Sequence, residues 1–211
     1  PLQEVLVPQK EYELLDSGNG RKLERFGDVV LSRPDPQALW TPSMSEEKWN
    51  EADAYFVRKG NSTEWKLNNK NMPEEWTVNL GDISFWIKPT SFKHTGVFPE
   101  QLSNWKWMSE VISNSKTKEI KVLNLFGYTG GASMACAKAG AHVTHVDGSK
   151  ASVGWAKDNA KLSGLEDAPI RFLIDDARAF VAREIRRGNT YHGIVMDPPS
   201  FGYGPKDEPW K

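Results

Sequence analysis

Cysteine is almost missing from this chain, with one residue, Cys136, among 211. A lone thiol excludes a disulfide framework and a cysteine-built zinc cluster, and no metal is expected. Long apolar runs are missing too. No stretch approaches the length of a membrane span, and the N-terminus lacks a signal-peptide pattern, so a cytoplasmic protein with no membrane partner is expected. A strong net charge is also lacking: 27 basic residues against 28 acidic ones leave −1. Lysine and arginine number 13 against 17 acids in residues 1–115, and 14 against 11 from 116 onward. The later part is therefore mildly cationic, at +3, which permits a polyanionic partner without requiring one.

What is present is unevenly spread. Seven of the nine tryptophans precede residue 108. From about residue 11 to 90 the pattern is of short strands between turns. "YELLDSGNGRKLERFGDVVLSRP" carries a Gly-Asn-Gly turn between strand-like runs, and "EEWTVNLGDISFWIKP" alternates about a Gly-Asp turn, both hairpin signals. Residues 1–90 are therefore expected to form a small β-rich N-terminal domain, with the tryptophans in its core. "FPEQLSNWKWMSEVISNS" follows as a helix begun by Pro99 and Glu100, residues favoured in a first turn.

Residues 91–211 then adopt a strict alternation. "IKVLNLFG", "AHVTHVDG", "PIRFLIDD" and "YHGIVMD" read as strands, and "GASMACAKAG", "KASVGWAKDNAKLSG" and "ARAFVAREIRRG" as the helices between them. Such a rhythm predicts an α/β fold, a doubly wound parallel sheet with helices on its faces. Ile194-Val195-Met196 reads as a central strand, yet only fifteen residues follow it. The sheet is expected to be truncated after this fourth strand.

Each predicted strand ends on a polar or glycine-rich cluster, where open α/β sheets bind ligands. The first ends in "NLFGYTGG", whose Gly127, Gly130 and Gly131 let the backbone turn and approach a ligand. The second ends at Asp147, twenty residues after Gly127, a spacing suited to a carboxylate that accepts ribose hydroxyls. Helix capping is its other reading. The third ends in Asp175-Asp176, one suited to an adenine amine and the other to a helix N-cap. The fourth ends at Asp197, followed by Pro198 and Pro199, which lack N–H donors and force a stiff exit from the sheet. The glycine spacing, G-x-x-G-G, does not match the G-x-G-x-x-G that cradles a dinucleotide pyrophosphate. S-adenosylmethionine has ribose and adenine without phosphate, and it is the expected cofactor.

"VLNLFGYTGGASMACAKAGAHVTHVDGSKASVGWAKDNAKLSG", "IRFLIDDARAF" and "VMDPPSFG" resemble the class I S-adenosylmethionine-dependent methyltransferases. More narrowly they are similar to the branch of the 23S ribosomal RNA (cytosine-C5)-methyltransferases and its uncharacterised bacterial relatives. "KHTGVFPEQLSNW" resembles the segment that precedes the first sheet strand there. The resemblance implies a Rossmann-like sheet, a ribosomal RNA substrate, and a cofactor site of Phe126, Gly127, Tyr128, Thr129, Gly130, Asp147, Gly148, Asp176 and Ala177. It places the methionine part of the cofactor on the glycine loop, the ribose on Asp147 and the adenine amine on Asp176. Asp197 and Pro198 would lie beside the sulfonium methyl and the incoming base, as the catalytic corner. Leu102 and Trp105 stand where the branch has arginines.

Methylation at cytosine C5 uses a cysteine thiolate that first adds to C6. Cys136 lies in a small-residue helix, where a buried thiol is inert. The family's nucleophile would come from a later strand. Two other classes remain open from sequence: a methyltransferase of a small-molecule or protein acceptor, and a cofactor-binding module without catalysis.

Overall fold

A computed structural model describes residues 9–59, 62–91, 93–199, 202–203 and 209–210. The polypeptide divides into two compact units: residues 1–81 with 85–99, and residues 82–84 with 100–211.

The first unit holds β1 (Tyr12–Gly18), β2 (Arg21–Phe26), β3 (Val29–Pro34), the short helix α1 (Glu46–Asn50), β4 (Ala54–Lys59) and β5 (Ser62–Leu67), followed by the β6 (Trp76–Leu80) and β7 (Ile83–Ile87) pair. Its five-stranded sheet runs in sequence order, β1 to β5. Asn19 and Gly20 link β1 to β2 with φ of 50° and 73°. Positive φ at both central residues is the turn whose twist matches antiparallel strands. The β3–β4 pairing is parallel, so the chain crosses over through α1, which sequence reasoning missed. Ser45 stands before Glu46 and Glu47 at its start, a helix-entry pattern too short for periodicity to register.

Beneath the sheet, Trp49 packs with Leu23 and Ala52, while its indole N–H donates to Asp16. Glu24 is fully buried between Arg33, whose guanidinium donates to both its oxygens, and the Tyr12 hydroxyl. Burial opposes charge on Glu24, but Arg33, Lys22 and Tyr12 outweigh it and hold the carboxyl below its usual value. The expectation of core tryptophans holds for Trp49 but not for Trp40, which is mostly exposed and donates to Ser17.

A 3₁₀ turn, Pro99–Gln101, leads into α2 (Leu102–Ser113), the first helix of the second unit. It continues through β8 (Lys121–Leu125), α3 (Gly131–Lys138), β9 (His142–Asp147), α4 (Lys150–Leu162), β10 (Ile170–Ile174), α5 (Ala177–Arg187) and β11 (Gly193–Met196). A last pair of short strands, β12 (Gly202–Tyr203) and β13 (Pro209–Trp210), is antiparallel. The main sheet has the order β10-β9-β8-β11 and is wholly parallel. Because β8 is covered on both faces, its residues Val122 to Leu125 are all buried, which is why this strand reads as an almost unbroken apolar run.

Alternate residues of β8 serve the two faces. Val122 joins Ile112 of α2 and Cys136 and Ala137 of α3 in one cluster. Leu123 and Leu125 join Val146 of β9 with Ala177 and Phe180 of α5 in the other. The chain moves outward from β8 to β9 and β10, then returns to the opposite side of β8 as β11. That reversal puts a topological switch point at the carboxyl ends of β8 and β11.

Candidate functional site

The loop after β8 and the turn after β11 flank the switch point. The loop is bent hard. Phe126 and Tyr128 take left-handed φ of 56° and 48°, and Gly130 follows at 92°. Non-glycine residues in that region cost energy and persist only where their surroundings hold them, typically at ligand clamps.

Those surroundings are specific. The Gly127 N–H donates to the Val146 carbonyl at 3.1 Å, and the Gly130 N–H to the Gly127 carbonyl at 3.0 Å. The Tyr128 N–H donates to Asp147 Oδ2 at 2.9 Å. Asn159, fully buried on α4, donates to the Thr129 carbonyl at 3.0 Å. The strained loop is thus clamped from β9 on one side and α4 on the other.

Asp147 is the hinge of this arrangement. Its second oxygen accepts the Ser149 N–H at 2.8 Å, so one carboxylate ties the end of β9 to both the glycine loop and the start of α4. Helix capping, the other reading of this residue, falls to Ser149, whose hydroxyl accepts from Ser152 N–H. Burial raises the Asp147 carboxyl above its ordinary value against the pull of the two amides. Each oxygen retains a lone pair after one amide bond, enough to accept a ribose hydroxyl. Gly148 forms the bend between Asp147 and Ser149.

At the end of β10 the two acids separate in role. Asp176 is the N-cap of α5, its Oδ1 accepting the Ala179 N–H at 2.8 Å. Asp175 pairs with Arg183. The cap engages one of the two Asp176 oxygens, so cap and adenine contact are compatible. Ala177 contributes its methyl to the core against Leu123 and Leu125, which leaves only its backbone for a cofactor. Asp197, Pro198 and Pro199 leave the end of β11 exposed. Ser200 and Phe201, the next residues of the motif, lie outside the described residues.

Cys136 is 1% exposed, with its sulfur 3.9 Å from Met108 Sδ, and burial pushes its thiol up to about 11. It is a core residue. Trp105 is buried as well, and a Cβ at Gly131 would lie 2.8 Å from its Cε2. The indole packs where an arginine contact is implied by the resemblance.

Sequence reasoning missed Asn124, Ser133 and Asn159, and it gave His145 only a structural place. Asn124 Nδ2 donates to Ser133 Oγ at 2.9 Å, and Ser133 Oγ lies 2.9 Å from His145 Nδ1. Their only signal in the sequence is a polar residue at a position that the strand or helix period assigns to the core. A cavity of about 610 Å³ lies elsewhere, at the amino ends of β8, β9 and β10, lined by Lys121, His142, Arg171 and Glu184 among others. It is at the wrong end of the strands for the switch-point site. Among the described residues no cluster of histidine, cysteine or acidic residues could hold a metal, and no helix is long and apolar enough to cross a membrane.

Comparison with known proteins bears on this site. The family profile of S-adenosylmethionine-dependent methyltransferases matches residues 44–206. The ribosomal RNA large subunit methyltransferase K/L of Shewanella baltica is 33% identical over 178 residues, 84% of this chain and 23% of that protein. Its counterpart in Shewanella amazonensis is 35% identical over the same length and shares. A crystal structure of an S-adenosylmethionine-dependent methyltransferase from Agrobacterium tumefaciens is 47% identical, with a TM-score of 0.90 over 95% of this chain and 64% of that one. The chain thus spans less than a quarter of the length of these curated relatives.

Proposed function

Since the chain belongs to the S-adenosylmethionine-dependent methyltransferase family, we propose that it is the catalytic module of an enzyme methylating a base of large-subunit ribosomal RNA. The observation that carries this reading is the clamped loop 126–130 beside Asp147, at the switch point shared with Asp197. The names of the curated relatives and the net +3 of residues 116–211 support an RNA acceptor.

When bound, S-adenosylmethionine would supply a sulfonium methyl group to an in-line nucleophile, with S-adenosylhomocysteine as the leaving group. Phe126, Gly127, Tyr128, Thr129 and Gly130 hold the amino-acid end of the cofactor. Asp147, with Gly148, receives the ribose hydroxyls, and Asp176, with the backbone of Ala177, receives the adenine amine. Asp197 accepts hydrogen bonds from the incoming base, and Pro198 keeps that carboxylate from swinging away, so the acceptor atom meets the methyl carbon in line.

The finer reading is cytosine C5. There a thiolate adds to C6, C5 takes the methyl, and loss of the C5 proton expels the thiolate. Cys136 is too deeply buried for that role, so C5 chemistry requires a thiolate from outside these residues. A second reading, an acceptor atom already nucleophilic without covalent help, needs no thiolate.

The test uses the complete polypeptide containing this chain, unmodified ribosomal RNA and cofactor labelled in the methyl group. Nucleoside mass spectrometry is expected to find the label in 5-methylcytidine. Label in another nucleoside replaces the C5 reading by the second, and no label in RNA removes the RNA acceptor altogether. In the same assay Asp197→Asn should turn over about tenfold or more slowly, about 1.4 kcal/mol of barrier, with cofactor affinity unchanged. Normal turnover with a lowered melting temperature would reduce Asp197 to a turn residue.

A further inference from the structure

Directly beneath the glycine loop lies a group that no binding role yet accounts for. His145 is fully buried in β9, its ring 5.2 Å from that of Phe172. Nδ1 faces Ser133 Oγ at 2.9 Å, and Ser133 in turn accepts from Asn124. Nε2 has no hydrogen-bond partner among the described residues. A phenylalanine would fill the same space without a buried polar atom left unpaired, which is a costly feature in a core. Nδ1 gives the imidazole its fixed place: the Asn124–Ser133 pair holds the ring, and its Nδ1–Cε1 edge is turned toward the glycine loop.

What that edge meets is Gly127. A Cβ built on Gly127 would lie 2.9 Å from Nε2 and closer still to Cε1 and Nδ1. Gly127 does not have a positive φ, unlike its neighbours Phe126 and Tyr128. The three atoms nearest to that added Cβ all belong to the imidazole, so the ring is what an alanine side chain would strike. The ring is anchored and enclosed, so it cannot swing aside as a surface side chain would. Residue 127 is glycine because His145 is there.

We propose that His145 is a positioning residue for S-adenosylmethionine: its anchored ring is the floor that sets the height of loop 126–130 against the cofactor. This rests on the reading that the loop holds the cofactor, and the test separates the two. The floor completes a clamp whose other members are the Val146 carbonyl, the Asp147 carboxylate and Asn159. With the loop held from below, Phe126 and Tyr128 keep their left-handed geometry before any ligand arrives, so binding does not have to order them.

The experiment compares wild type, Gly127→Ala, His145→Ala and the double variant, by calorimetric titration with S-adenosylhomocysteine and by thermal melting. Alanine removes every ring atom that a methyl group at residue 127 would strike, and leaves Ser133 bonded to Asn124. Gly127→Ala should lose about tenfold or more in affinity and His145→Ala about threefold, while the double variant recovers most of the Gly127→Ala loss, a coupling expected of residues in contact. Unchanged affinity in Gly127→Ala would overturn the cofactor loop itself. A weak Gly127→Ala with an equally weak double variant would overturn the role of His145 alone. Recovery of melting temperature without recovery of affinity would make the histidine a packing residue and end the positioning role. Where Gly127→Ala does not fold, His145→Ala decides, since normal affinity with a lowered melting temperature also ends it.

Discussion

Two histidines are held neutral by the structure, one in each unit. Burial lowers His145 to about 4. Burial, joined by the positive charges of Arg33, Lys93 and Lys22, lowers His94 to about 4. In the unfolded chain each takes a proton near its ordinary value of 6.5. Acidification therefore protonates the unfolded state first, and stability is lost as the pH falls from about 6.5 through about 4. Urea denaturation at pH 7 and pH 4.5 should show wild type losing about 2 kcal/mol more than His145→Asn, since only wild type carries the buried imidazole. Equal losses would mean that the imidazole accepts its proton without unfolding. The residue scale also settles Cys136, whose burial and raised thiol remove it from the chemistry.

Among the elements, α5 most clearly combines fold and site. Its N-cap, Asp176, is also the proposed adenine partner. The two roles respond differently to substitution. Asp176→Ala removes both and should lower stability by about 1 kcal/mol through the lost cap. Asp176→Ser restores a capping oxygen on a shorter side chain that does not reach the adenine. Thermal melts should place the serine variant near wild type, while S-adenosylhomocysteine titration should find both variants weakened. A serine variant with wild-type affinity would leave Asp176 as a cap and nothing more. The glycine loop is a second element whose geometry is borrowed, because Phe126 and Tyr128 stay left-handed through bonds made by β9 and α4.

One unit of the molecule carries all the residues proposed to hold the cofactor. Residues 126–130, Asp147, Asp176 and Asp197 all belong to the second unit, although the chain spans only 64% of the Agrobacterium methyltransferase. A ligand that binds the native state alone adds stability by mass action, about 2.7 kcal/mol at a hundred times its dissociation constant. Saturating S-adenosylhomocysteine should therefore raise the melting temperature of the 211-residue chain. NAD should raise it no more than adenosine alone does, because the loop lacks the spacing that cradles a pyrophosphate. A larger shift with NAD would reverse the assignment of the ligand corner.

The alternation of strands and helices in residues 120–197 was legible because apolar runs and small-residue stripes are local patterns, and each element in the structure falls on its predicted stretch. The glycine and acid clusters were legible for a similar reason, since strand ends are marked by where apolar runs stop. The order of strands was not written locally: β8 and β11 are neighbours only because two intervening strands pack on the other side. Nor was the support of the loop. Ser133 and His145 are 12 residues apart, Tyr128 and Asp147 19, and Thr129 and Asn159 30, and no periodicity links such pairs. A buried polar residue announces in sequence only that it needs a partner. Which partner it finds is decided by the folded backbone, and here that decision put an imidazole under Gly127 and a carboxylate beside Tyr128.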